Sequence, residues 1–167
     1  MRVYLDLDGV LADFYGTARR LLKRAYAELP PEEAWGILGK TPNLFLNLPL
    51  LPDARALWEG VEREVGRPNM RVLTASPRDT GYLFSAPMDK RAWVHRHFDG
   101  QCEVHVVLGW AKKAAYAEPH AILIDDQARN IHAWEAAGGI GIHHQDAESS
   151  LKTLQEILAK KRKTIIL

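Results

Sequence analysis

Met1-Arg-Val-Tyr-Leu-Asp-Leu-Asp-Gly-Val-Leu-Ala-Asp-Phe14 is the stretch whose reading decides the fold. Val3, Tyr4 and Leu5 form an apolar run without polar alternation, the pattern of a strand buried on both faces. The run meets Asp6-Leu-Asp-Gly9. Side chains on a strand repeat every second residue, so Asp6 and Asp8 project to the same side. Two like charges at the end of a buried strand are tolerable when a cation lies between them or they share a proton. Gly9 permits a positive φ or a close backbone approach to a ligand. The bland alternative is a strand that ends in a solvated turn.

Working outward, the same idea recurs. Ile122-Leu-Ile-Asp-Asp126 is an apolar strand that ends in adjacent carboxylates, and Val72-Leu-Thr-Ala-Ser-Pro77 is another that ends in hydroxyls. Lys112 and Lys113 precede the Asp125-Asp126 strand. Periodicity and breakers predict helices over 14–29, 32–38, 54–65, 89–98, 112–117, 128–137 and 147–161. Strands are predicted over 3–5, 70–74, 103–108, 120–124 and 140–143, with 164–167 as a further edge strand. Asp53 reads as the N-cap of helix 54–65. Alternating strands and helices imply an α/β protein: a central parallel sheet of about five strands with helices on both faces. In such sheets ligands gather at the carboxyl ends of the strands, where strand order reverses. Asp6, Thr74 and Asp125 all fall at such ends.

The composition is that of an ordinary globular protein, 47% hydrophobic and 26% charged over 167 residues, which suits one domain with a small insertion. A net charge of +1 provides no global field to recruit nucleic acid or a membrane. The single cysteine, Cys102, excludes an intramolecular disulfide framework and reads as an inert thiol. The core strand at the very start leaves no room for a signal peptide, and no apolar run approaches a membrane span, so the expected location is cytoplasmic. The basic groups Arg19, Arg20, Lys23 and Arg24, and Lys160 to Lys163, read as solvated faces. His143-His144 reads as peripheral, with no partner ligand in sequence.

The ordered set of Asp6/Asp8, Thr74, a lysine and Asp125/Asp126 resembles the haloacid dehalogenase (HAD) superfamily of phosphotransferases. Asp6-Leu-Asp-Gly-Val-Leu-Ala-Asp-Phe14 is most similar to the 5'(3')-deoxyribonucleotidase branch. The resemblance spans roughly residues 2–142 and is specific at the motifs. It implies a Rossmann-like HAD core of residues 1–13 and 53–167, with residues 14–52 as a small helical cap inserted after the first strand. It also implies roles: Asp6 as the nucleophile that forms an aspartyl-phosphate, and Asp8 as general acid and base. Thr74, Ala75 and Ser76 would bind phosphate. Lys113, with Lys112 as the alternative, would balance charge. Asp6, the Asp8 backbone carbonyl, Asp125 and Asp126 would hold magnesium, the ion that an all-oxygen donor set prefers. Phe14 and Phe45 would line a substrate pocket. The branch carries Phe-Trp where this chain has Leu44-Phe45, and Thr74-Ala75-Ser76 carries one residue more than the branch's Thr-Ser-Pro.

The expected function is therefore a magnesium-dependent phosphatase of (deoxy)nucleoside monophosphates. The alternatives are a HAD phosphatase of another small phosphoester or of nucleic-acid ends, and a catalytically silent HAD-like binding domain. The expected partner is a small phosphoester. Neither a membrane nor nucleic acid is expected, and a homodimer is open to the chain.

Overall fold

The computed structural model describes residues 1–77, 81–98 and 100–165. Strand β1 (Arg2–Leu5) is central in a five-stranded sheet whose other members are β2 (Met70–Ser76), β3 (Val104–Leu108), β4 (Ala121–Asp125) and β5 (Ile140–His143). The order is β3-β2-β1-β4-β5 and every pairing is parallel. The chain moves outward from β1 through β2 to β3, then crosses back to place β4 on the other side of β1. The order thus reverses between β1 and β4, and the crevice outside their carboxyl ends is the place where such sheets bind ligands. Pairing of Leu5 with Ile124 brings the residues just beyond, Asp6 and Asp125, to adjoining strand ends.

The period-two alternation of β1 divides the core. Val3 and Leu5 face a large cluster that includes Leu57, Trp58 and Val61 of α3 (Ala54–Val65), Trp93 and Val94 of α4 (Ala86–His97), and Leu154 and Leu158 of α6 (Ala147–Ile165). Tyr4 faces the opposite side with Leu73 and Leu123, under Ile131 and Trp134 of α5 (Ala128–Ala136). The rings of Tyr4 and Trp134 meet edge to face at 5.4 Å between centroids. No helix among the described residues is long and apolar enough to cross a membrane.

Residues 14–52 leave and re-enter the core at one place. The Asp13 amide donates to the Pro49 carbonyl at 2.8 Å, and the Leu51 amide donates to the Leu11 carbonyl at 2.9 Å. Between these anchors lie the helices α1 (Phe14–Leu22) and α2 (Pro31–Leu38), with single 3-10 turns at Tyr26–Glu28 and Phe45–Asn47.

Several elements differ from the sequence-based expectation. The helix expected over 14–29 stops at Leu22, because Lys23 adopts φ 61°. The chain then turns so that Tyr26 meets Phe14 at 5.5 Å and Trp35 at 5.8 Å, contacts a straight helix would carry away. The helix expected over 112–117 is a 3-10 turn, Trp110–Tyr116. Helix α4 begins at Ala86 rather than Asp89, since Pro87 is tolerated in a first turn, where its missing amide is no loss. The edge strand expected at 164–167 is occupied by the end of α6 as far as Ile165; residues 166 and 167 lie outside the described residues.

Asp53 makes no side-chain cap to α3. Its Oδ2 instead accepts from the Ala147 amide at 2.7 Å, so it caps α6, a helix 94 residues away in the chain. Asp53→Ala is expected to cost about 1 kcal/mol, the usual worth of an N-cap. Hydrogen exchange should quicken in the first turn of α6 and stay unchanged in that of α3. The reverse pattern would show that Asp53 supports α3.

Candidate active site

The acids emerge at the carboxyl edge because β1 and β4 are too apolar to be anywhere but the sheet centre. Asp6 is 4% exposed and Asp125 is fully buried. Between them lies the ammonium of Lys113, 2.8 Å from Asp6 Oδ2 and 2.7 Å from Asp125 Oδ2. Lys112, its alternative from sequence, is exposed. Gly109, with φ +81°, opens the tight turn that selects Lys113. Asp125 is further held by Asn130, whose Nδ2 donates to both carboxylate oxygens at 2.9 Å, and by the Gln127 amide at 2.8 Å.

Asp6, Asp125 and Asp126 each offer an oxygen within 4.8 Å of the others. Asp126 Oδ1 and Asp8 Oδ1 are buried without a hydrogen-bond partner. Burial, then repulsion from Asp125, pushes the Asp126 carboxyl up to about 6, although a Gln127 hydrogen bond opposes the rise. Burial is also the main cause that drives Asp6 well above the carboxylate range; Lys113 counters it, while Asp125, Asp8 and Asp126 add to it. Burial opposes the charge on Lys113, but Asp6 and Asp125 more than offset this and hold the ammonium above its ordinary value. Two lysines, Lys113 and Lys90, among the four carboxylates Asp6, Asp8, Asp125 and Asp126 leave negative charge that a further cation would stabilise. The donors are hard oxygens, including an orphaned one, so the residues present fit a magnesium-type ion.

Gly9 closes the loop after Asp8 at φ +82°. A Cβ there would come within 2.7 Å of the Asp126 carboxylate and 2.8 Å of the Tyr15 ring, so only glycine lets this loop approach the acids.

Other expected site residues fall elsewhere. Thr74 is fully buried and its hydroxyl accepts from Lys90 Nζ at 3.1 Å; Ala75 and Ser76 line the cavity while Thr74 does not. Phe14 lines the cavity, but Phe45 does not. Phe45 is 1% exposed and lies behind Phe14, their planes 8° apart at 6.1 Å. The aromatic wall on this side comes instead from Tyr15, Tyr26 and Trp35 beside Phe14. Apolar patterning alone marks Trp35 and Tyr26 as positions to be covered and does not single them out as cavity-facing rings. The helix break at Lys23 decides their placement. The cavity holds about 810 Å³ and is walled by Asp6, Asp8 and Lys113 as well as by these rings.

Lys90 is the residue that the motifs did not reveal. It is fully buried, its Nζ 2.5 Å from Asp8 Oδ2 and 4.4 Å from the centre of the Phe45 ring. A signal existed: Lys90 stands three and four residues before Trp93 and Val94, on the apolar face of its helix. Asn130 likewise precedes the buried Trp134 by four.

No family model matches the chain, and no curated protein matches it. Among solved structures it is similar to a hydrolase from Pseudomonas syringae, at 15% identity over 93% of this chain and 98% of that one, with a TM-score of 0.55. It is also similar to a hydrolase from Streptococcus pneumoniae TIGR4, at 15% identity over 92% and 97%, with a TM-score of 0.50. Likeness at this identity establishes the shared α/β fold.

Removing one partner of a buried ion pair strands the other charge, which costs about 3–5 kcal/mol. The Asp8 side chain is 21% exposed, so Lys90→Met should fall near the lower end, about 3 kcal/mol. Lys112→Met, on the surface, should change stability by less than about 0.5 kcal/mol. Urea unfolding of both variants checks this; equal losses would mean that the Lys90–Asp8 contact carries no weight.

Proposed function

We propose that this protein is a magnesium-dependent phosphatase of the HAD superfamily that acts on (deoxy)nucleoside monophosphates, in the manner of the 5'(3')-deoxyribonucleotidase branch. The observation that carries the reading is the Lys113 ammonium wedged between Asp6 and Asp125, with Asp126 completing an oxygen-only acidic trio. The sequence resemblance and the described hydrolase neighbours agree with it.

Asp6 is the nucleophile. One of its carboxylate oxygens forms a bond to phosphorus as the ester P–O bond breaks, giving an aspartyl-phosphate. Asp8 delivers a proton to the departing oxygen, then takes one from the water that attacks phosphorus and frees Asp6 and inorganic phosphate. Lys113 offsets the charge of Asp6 and of the phosphoryl group. Lys90 orients Asp8 through their contact and ties it to Thr74. Ser76 and the Ala75 backbone contact phosphate oxygens from the cavity wall. Asp6, the Asp8 backbone carbonyl, Asp125 and Asp126 would hold magnesium. When bound, the ion neutralises phosphate charge and polarises the phosphorus centre.

Residues 14–52 act as a small cap over this edge. Their rings, Phe14, Tyr15, Tyr26 and Trp35, offer a base a stacking surface, worth roughly 1–3 kcal/mol per base. A volume of about 810 Å³ is far more than a phosphate alone requires and suits a whole nucleotide. A cytoplasmic location and a homodimer are compatible with this reading.

Asp6→Asn should lower phosphate release by at least ~10²-fold while circular dichroism and melting remain those of folded protein. Chelation should silence the native enzyme, and added magnesium should restore it. Folded Asp6→Asn with near-native turnover would remove the covalent role.

For substrate, deoxynucleoside monophosphates should be hydrolysed faster than hexose phosphates. Trp35→Ala should cut nucleotide kcat/KM by about tenfold, the loss of one stacking contact, and p-nitrophenyl phosphate by much less. Equal losses on both substrates would leave a phosphatase of other small esters.

A further inference from the structure

The nucleotidase reading uses the acids at the sheet edge and the aromatic wall, but leaves a cation of the same cavity, Arg129, without a task. Among the described residues two cations line the cavity, Lys113 and Arg129, together with an acid of the 14–52 segment, Glu32. Lys113 is engaged by two carboxylates. The exposed guanidinium of Arg129 rests 4.9 Å from the centre of the Trp110 ring, and among the described residues it has no carboxylate partner and no hydrogen bond. Trp110 also lines the cavity and is 40% exposed.

The position of Arg129 is set from both sides. It precedes Asn130, which holds Asp125, so it is anchored to the acidic edge while its long side chain reaches along the wall. Burial raises the Tyr26 phenol above its ordinary value, and the positive charge of Arg129 is among the influences that oppose the rise. The guanidinium is thus within electrostatic reach of the cap-side rings. A guanidinium stacked on an indole keeps its planar fork of donors free and has lost part of its freedom in advance. Such a fork matches phosphate oxygens in pairs. The carboxylates at the other end of the cavity need a metal ion before they can take an anion; Arg129 does not.

We propose that Arg129, braced by Trp110, forms a second anion subsite, and that preferred substrates carry a second phosphate group beside the one cleaved at Asp6. The proposal rests on the phosphatase reading for its chemistry. The second phosphate can be that of a free nucleoside 3',5'-bisphosphate or the first diester of a 5'-phosphorylated nucleic-acid end. Both present the same oxygens to a guanidinium.

Release of inorganic phosphate is measured with a deoxynucleoside 5'-monophosphate, the corresponding 3',5'-bisphosphate and a 5'-phosphorylated dinucleotide. At least one of the substrates with a second phosphate group should exceed the monophosphate in kcat/KM by about tenfold or more, as expected for a charge-assisted contact. Which one does so identifies the source of the second phosphate. Arg129→Gln should return that ratio toward one, and Arg129→Lys should recover only part of it, because a point charge replaces a fork. A ratio near one in the native protein, or a ratio that survives Arg129→Gln, would overturn the proposal. Calorimetric titration of Asp6→Asn protein in magnesium with the same ligands reads the subsite without turnover. If no phosphate is released from any substrate, the phosphatase reading fails. The subsite then stands or falls on whether a ligand with a second phosphate group binds about tenfold tighter than the monophosphate and loses that margin in the Arg129→Gln background.

Discussion

A lysine ammonium buried between the carboxylates of two adjoining strands is the interaction on which the rest of this structure depends. Asp6 and Asp125 occupy the ends of the most buried strands, where water cannot screen them. Lys113, held within 2.8 Å of both, reduces the repulsion without abolishing it. Removing charged groups from water is costly unless partners replace the lost hydration. The surrounding elements are shaped by that demand. Asn130 and the Gln127 amide turn the start of α5 toward Asp125, and Gly109 opens the turn that carries Lys113 inward. The parallel topology makes the cluster possible, since it brings separate strand ends to one edge at the reversal of strand order.

A second cation links this edge to residues 14–52. Lys90 comes up from α4 to meet Asp8 and Thr74, and its ammonium lies over Phe45. Phe45 stacks behind Phe14, and Phe14 packs against Trp35 and Tyr26. An unbroken line of contacts therefore runs from the Asp8 carboxylate to the aromatic wall of the cavity. The two main-chain hydrogen bonds at 49–51 pin both ends of the segment to the loop after β1. Phe45 thus has a structural position between wall and acid, where the sequence alone suggested a contact with substrate.

The cavity is electrostatically two-ended. An acidic, metal-compatible trio stands at the sheet edge, and Arg129 rests on Trp110 with no ion-pair partner among the described residues, while Glu32 adds an acid on the side of the 14–52 segment. Aromatic rings line the same cavity. A ligand complementary to such a space is elongated, contains a flat apolar portion and carries anionic charge.

The sequence by itself determined the parallel α/β fold and the acids at its edge, because both follow from local patterns. Apolar runs that end in Asp6, Thr74 and Asp125 specify buried strands, and parallel strands expose their carboxyl ends together. It was silent where position depends on contacts distant in the chain. Asp53 reads as the cap of the helix beside it, but its carboxylate accepts from the Ala147 amide at the start of α6 instead. The resemblance favours Lys113 and leaves Lys112 as the alternative, and the geometry of a 3-10 turn separates the exposed Lys112 from the buried Lys113. Lys90 looks like a surface charge until the packing of Trp93 and Val94 shows that its face is inward. Tertiary structure decided these cases because a buried charge is placed by its partners, and the partners of Lys90, Lys113 and Asp53 come from elsewhere in the chain.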